Sequence, residues 1–163
     1  MPAVVVSGPQ CSGKTTLAMA LGSSLAVPVF SRDPLLAVLT RYGLSGRDLA
    51  TAGLDLQTAL LARQLELGQS CVLECVLPNT TREQWRRMIA AAGSRMIAVE
   101  CVCSDPEEHR ARFERRSEAR GFGWDYVLRT MRHYRPDEHP DYTADALRPV
   151  AEHVAAITQL VSS

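Results

Sequence analysis

Apolar residues are distributed along the chain in two alternating rhythms. Ala3-Val4-Val5-Val6-Ser7 is an unbroken apolar run stopped by Gly8, the pattern of a strand buried on both faces. Leu17, Ala18, Leu21 and Leu25 then recur at helical spacing, which predicts a helix over 14–25. A short run from Val27 to Phe30 predicts a second strand, and helical patterns follow over 34–41 and 54–67. In the latter, Leu56, Leu60, Leu61 and Leu65 are expected to share a face, and Gly68 ends the helix. Ser70 to Val76 and Arg95 to Val102 predict two more strands. A helix over 81–92 lies between them, with Thr80 or Thr81 near its cap and Gly93 closing it. Asp105-Pro106-Glu107-Glu108 is a helix start, with acids in the first turn and proline at N1. Helices over 106–119 and 124–134 are expected to hinge at Gly121 and Gly123. A short strand over 142–146 precedes a last helix opened by Pro149, with Val150, Val154, Ile157 and Val161 turned inward. This alternation predicts a three-layer α/β/α domain on a parallel sheet of about five strands.

Composition narrows the picture only a little. The 163 residues suit a single domain over 1–163, and 46% apolar content supplies a full core. With 18 basic and 18 acidic residues the net charge is zero, which argues against a domain built mainly to coat nucleic acid. Five cysteines (Cys11, Cys71, Cys75, Cys101, Cys103) follow no zinc or disulfide spacing, and four of them sit in apolar runs as small hydrophobes. The N-terminus lacks a charged leader and no apolar stretch has membrane-span length, so a soluble, cytoplasmic protein is expected. Lys14 is the only lysine; every other basic position is arginine.

That lysine stands in the clearest motif of the chain. Gly8-Pro9-Gln10-Cys11-Ser12-Gly13-Lys14-Thr15 matches G-x-x-x-x-G-K-[ST] in full, after a strand and before a helix. Glycines let successive backbone N–H groups turn toward phosphate oxygens, and the helix N-terminus adds its positive end. Lys14 is expected beside the β- and γ-phosphates, Thr15 on Mg²⁺ and Thr16 near the α-phosphate. Cys11 needs only to be small, although a thiol at a helix N-terminus can also be activated.

Three further features bear on chemistry beyond phosphate binding. Asp33 comes just after the second strand, where it can accept the proton of an attacking hydroxyl or cap the helix opened by Pro34. Glu74 ends the third strand, where a carboxylate can hold Mg²⁺ or form an ordinary ion pair. Residues 110–135 carry eight arginines; Arg116 and Arg120, four apart, are expected on one face of a lid over about 116–124. Their guanidinium groups would meet the migrating phosphoryl, whereas Arg110, Arg112, Arg129, Arg132 and Arg135 read as a solvated face.

Together these residues resemble the small P-loop kinases. Gly8–Thr15, Asp33, and Arg116-Ser-Glu-Ala-Arg120-Gly before Leu128-Arg129-Thr130-Met131 are similar to the kinase domain of bacteriophage polynucleotide kinase. More broadly they resemble ATP-binding kinases of the zeta-toxin and chloramphenicol-phosphotransferase type. The resemblance implies phosphoryl transfer from Mg·ATP with Asp33 as base, Lys14 and Thr15 at the phosphates, and Arg116 and Arg120 in the lid. It also implies an adenine pocket built partly from the Asp145-Ala146-Leu147-Arg148 turn. Leu36 stands where the polynucleotide-kinase pattern has an arginine for the acceptor phosphate. The expected activity is therefore transfer to a hydroxyl of a small molecule such as a nucleoside, sugar or antibiotic. Leu35, Leu39, Tyr42, Leu54, Leu56 and Gln57 would line that pocket. A polynucleotide 5′-hydroxyl kinase would need Arg41, Arg47, Arg82, Arg86 and Arg87 as its approach path. A nucleotide-binding regulator or toxin-like protein is the alternative outside catalysis.

Overall fold

The computed structural model describes residues 2–115 and 123–163. Five parallel strands form one sheet in the order β2-β3-β1-β4-β5, namely β1 (Ala3–Ser7), β2 (Val29–Ser31), β3 (Cys71–Glu74), β4 (Met96–Val102) and β5 (Tyr142–Asp145). Helices cover both faces: α1 (Lys14–Leu25), α2 (Arg32–Arg41), α3 (Gly46–Glu66), α4 (Asn79–Ala91), α5 (Pro106–Glu114), α6 (Trp124–His133) and α7 (Val150–Ser162). The three-layer fold expected from the apolar rhythm is the observed one.

The central strand explains why the layers close. Side chains alternate across a strand, so Val4 and Val6 enter one core with Leu17, Leu21 and Ile157. Ala3 and Val5 enter the other, with Leu61, Leu73, Trp85 and Ile89. All five residues of β1 are buried, as an interior parallel strand requires. In α7, Ile157 is fully buried and Val150, Val154 and Val161 pack around the same core, as expected.

Several boundaries differ from expectation. Helix α3 begins at Gly46, eight residues before the predicted start at 54. Gly46 and Gly53 make that stretch read as a break, yet Gly53 is buried against α2: a Cβ there would come within 2.5 Å of Leu36. Close approach of two helices thus outweighs the poor helix propensity of glycine. The buried positions of α3 are Gly53, Gln57 and Leu61, while Leu56 is 40% exposed and turns away from the predicted face. Helix α4 starts at Asn79 with Pro78 in the cap position, ahead of Thr80 and Thr81.

Candidate nucleotide and transfer site

The phosphate loop is the turn from β1 into α1. Gly8 has φ 146°, and a Cβ there would lie 2.3 Å from the Cys101 carbonyl oxygen, so only glycine fits. Cys11 (φ 63°) and Gly13 (φ 90°) also take left-handed geometry, which bends the chain into a concave turn. Helix α1 follows with no side-chain cap, leaving its first N–H groups for a ligand. Lys14 Nζ and Ser12 Oγ both donate to the Pro9 carbonyl, at 2.8 and 2.9 Å, and hold the turn closed. Thr15 and Thr16 are exposed at the mouth.

Strand register brings two carboxylates beside this loop. Val6 of β1 pairs with Glu74 of β3, which pairs in turn with Ser31 of β2. Glu74 is 3% exposed and its Oε2 has no hydrogen-bond partner. Its carboxyl is held above the ordinary range, chiefly by burial; Lys14 opposes this, Asp33 adds to it, and the Ser31 and Thr15 hydroxyls pull it down. Lys14, Asp33 and Thr15 therefore all act on Glu74. Asp33 is exposed in the first turn of α2, whose cap position is Ser31, so the N-cap reading of Asp33 is corrected.

No group of three His, Cys, Asp or Glu side chains capable of holding a metal occurs among the described residues. An orphaned, buried carboxylate oxygen beside a threonine hydroxyl nevertheless fits a hard cation whose other ligands are phosphate and water, as is usual for Mg²⁺.

Across the loop from the acids, Ser12, Gly13, Thr16 and Leu17 line an open cleft with Cys101, Arg112, Ala144, Asp145, Ala146, Arg148, Val150 and His153. The turn after β5 is firmly built. Asp145 Oδ1 accepts from the Ser104 and Leu147 N–H groups, and His153 Nε2 donates to the Asp145 carbonyl at 2.8 Å. Arg148 lies at this cleft while pairing with Glu152 at 2.7 Å. Arg112, expected on a solvated face, is corrected: it donates to the Ala146 carbonyl at 2.7 Å and lines the cleft. Arg116 and Arg120 lie outside the described residues.

The apolar acceptor pocket is also corrected. Tyr42 stands 81% exposed at the end of α2, and Leu54 packs against the core. Gln57 is sealed inside, its amide nitrogen donating to the carbonyls of Phe30 and Glu74 at 2.8 and 3.0 Å.

Sequence reasoning missed a second polar cluster. Buried Glu100 of β4 accepts from Ser7 Oγ at 2.9 Å, Tyr134 OH at 2.6 Å and the Asp137 N–H at 3.4 Å. Asp137 pairs with Arg82 at 3.7 Å and with Arg86. Arg82 is itself buried, donating to Asn79 Oδ1 and to the carbonyls of Leu77 and Arg135. A lone glutamate inside Ile-Ala-Val-Glu-Cys-Val was the available signal.

Fold and loop together define the class: a P-loop protein with the architecture of the small P-loop kinases. The chain belongs to the AAA domain family, whose profile matches residues 4–136. No curated protein matches it by sequence. Among solved structures it is similar to a protein assigned as a kinase from Chloroflexus aurantiacus J-10-fl, at 21% identity and TM-score 0.78, covering 99% of this chain and 96% of that one. A gluconokinase from Sinorhizobium meliloti 1021 gives 20% identity and TM-score 0.69, covering 98% and 93%. The Mycobacterium tuberculosis APS kinase CysC in complex with AMPPNP and APS gives 20% and 0.68, covering 99% and 98%. No helix among the described residues is long and apolar enough to cross a membrane.

Proposed function

We propose that the protein is an ATP-dependent kinase that transfers the γ-phosphoryl group to a hydroxyl of a small molecule. The observation that carries this reading is the meeting of Lys14, Asp33 and Glu74 at the carboxyl ends of β1, β2 and β3. The two acids have different environments and so different work. Asp33 is exposed and open to an incoming acceptor, and acts as general base. Glu74 is buried beside Thr15, and the two would hold Mg²⁺, which supplies positive charge at the phosphate oxygens. The loop N–H groups and Lys14 bind the triphosphate, and Lys14 counters the charge that develops during transfer. Arg116 and Arg120 are assigned the remaining positive charge on the strength of the sequence resemblance.

The base site is the cleft between the loop and the Asp145–Arg148 turn. Its apolar lining by Leu17, Ala144, Ala146 and Val150, with Arg112 alongside, suits adenine. Asp145 Oδ1 is already committed to two backbone N–H groups, which supports ATP over a base read by a free carboxylate.

A polynucleotide acceptor is less well supported. Of the five arginines it would need, Arg82 is buried and engaged on all sides, and Arg86 is paired with Asp137. The small-molecule acceptors named for the structural neighbours, gluconate-type sugars and APS, belong in the first panel tested.

The test is ADP release from Mg·ATP with nucleosides, sugars and sugar acids, APS, aminoglycosides and 5′-hydroxyl oligonucleotides as acceptors. One acceptor is expected to stimulate turnover, and Asp33→Asn to lower it by at least a hundredfold with ATP affinity retained. If no acceptor stimulates release and Asp33→Asn leaves background hydrolysis unchanged, the protein is a nucleotide-binding regulator instead.

A further inference from the structure

The outer side of the phosphate loop is gripped by an element that phosphate binding alone does not require. His109 of α5 is 2% exposed, and its Nε2 donates to the Gln10 carbonyl at 2.6 Å. The imidazole is itself held edge-on by Trp124 of α6, with ring centroids 5.3 Å apart at 87°. The next loop residue, Cys11, packs with Phe113, Val127 and Trp124 of the same two helices. Residues 10 and 11 are thus fastened from outside, by side chains about a hundred positions away.

We infer that His109 is a positioning residue for the nucleotide, holding the Gln10 carbonyl outward so that the Cys11 N–H faces the phosphates. The peptide unit supplies the physical link. A trans peptide is planar with its C=O and N–H pointing in opposite directions, and no peptide bond among the described residues is cis. A carbonyl pinned to α5 therefore aims its partner N–H across the loop, toward the concave side. Rotation of that unit would replace a phosphate donor with a carbonyl oxygen facing an anion. Cys11 has φ 63°, a conformation that a non-glycine residue keeps only when its surroundings enforce it. The His109 bond on one side of the residue and the apolar seat of its side chain on the other provide that enforcement. Lys14 and Ser12 secure the preceding carbonyl, Pro9, from within. The loop is consequently clamped from both sides before any ligand arrives, so less ordering remains for the ligand to bring about.

This inference rests on residues 8–15 binding a polyphosphate and needs no acceptor or transfer, so its failure is separable from failure of the kinase assignment. The experiment compares His109→Phe, which keeps a packed ring without a donor, with His109→Gln, which keeps an N–H donor. Calorimetric affinities for Mg·ATP, inorganic tripolyphosphate and adenosine are the readouts, with Tm as a control for folding. His109→Phe is expected to weaken ATP and tripolyphosphate about tenfold, the loss of roughly one hydrogen bond, and to leave adenosine unchanged. His109→Gln should recover most of that loss. Unchanged polyphosphate affinity in the Phe variant, an equal loss of adenosine, or a Gln variant as weak as Phe would each overturn the inference. Should the Phe variant fail to fold, the Cys11 amide resonance of the wild-type protein decides. It must shift on addition of tripolyphosphate, and an unmoved resonance refutes the assignment.

Discussion

Glu74 and Asp33 share a sheet edge but differ in what water does for them. The raised carboxyl of Glu74 means that the folded chain binds its proton more tightly than the unfolded chain, mainly because burial penalises the anion. A carboxyl raised on folding costs nothing below its unfolded value, where both states are protonated. The cost appears as pH rises from that value through the folded one, and stays in full above it. In EDTA, Glu74→Gln should therefore raise Tm at neutral pH by roughly a few degrees, the scale of one buried unsatisfied polar group, and flatten the fall in Tm as the pH rises above about 4.5. The same variant should weaken the Mg²⁺ dependence of nucleotide binding, as calorimetry with and without the metal would reveal. A Gln variant whose Tm tracks wild type at every pH would contradict this account of Glu74.

What could be read at this scale depended on how far apart the cooperating residues lie. The loop residues 8–15 are contiguous, so their joint chemistry is written in one motif. Glu74 and Asp33 follow apolar runs, and the rule that parallel strands share a carboxyl edge brings them to the loop. Arg112 and His109 gave no such signal. One acts on Ala146 and the other on Gln10, 34 and 99 positions away, and nothing local distinguishes them from the neighbouring charged residues of α5.

Among the elements, strands were the most legible because interior parallel strands need continuous apolar runs. Helix boundaries were less so where glycine serves packing rather than chain reversal, as at Gly53 in α3. Gly22 in α1 has the same character. A Cβ there would lie 2.1 Å from Val29 Cγ2 and 3.2 Å from the Val27 carbonyl, so α1 sits directly on the turn into β2. Gly22→Ala gains helix propensity but must push β2 away, and β-branched Val29 has little freedom to yield. The net effect should be a loss of about 1–3 kcal/mol in urea unfolding. Because β2 leads straight to Asp33, turnover should fall more than ATP affinity. An alanine variant as stable as wild type would mean that the contact relaxes without moving β2.

On the scale of the whole molecule, one sheet separates two cores and gathers the polar machinery at its carboxyl end. The chain's return from α6 is anchored there as well. Tyr134 and Asp137 bind Glu100, which holds Ser7 immediately before the loop, while α5 holds Gln10 and Ala146. Helix α5 and the chain leaving α6 are thus both tied to the loop or to the residue just before it. Movement of the loop would be felt at both.

Lys14 gives this arrangement a practical consequence. It is the chain's only lysine, is 8% exposed, and directs its ammonium at the Pro9 carbonyl. Apart from the terminal amine, every acyl group an amine-selective reagent can attach must therefore land in the phosphate loop. The mass gained at that one nitrogen should report occupancy directly: slow modification in the empty protein, slower still under saturating Mg·ATP, and undiminished under adenosine alone. Here the choice of arginine at seventeen other positions makes an ordinary labelling reaction a gauge of polyphosphate binding.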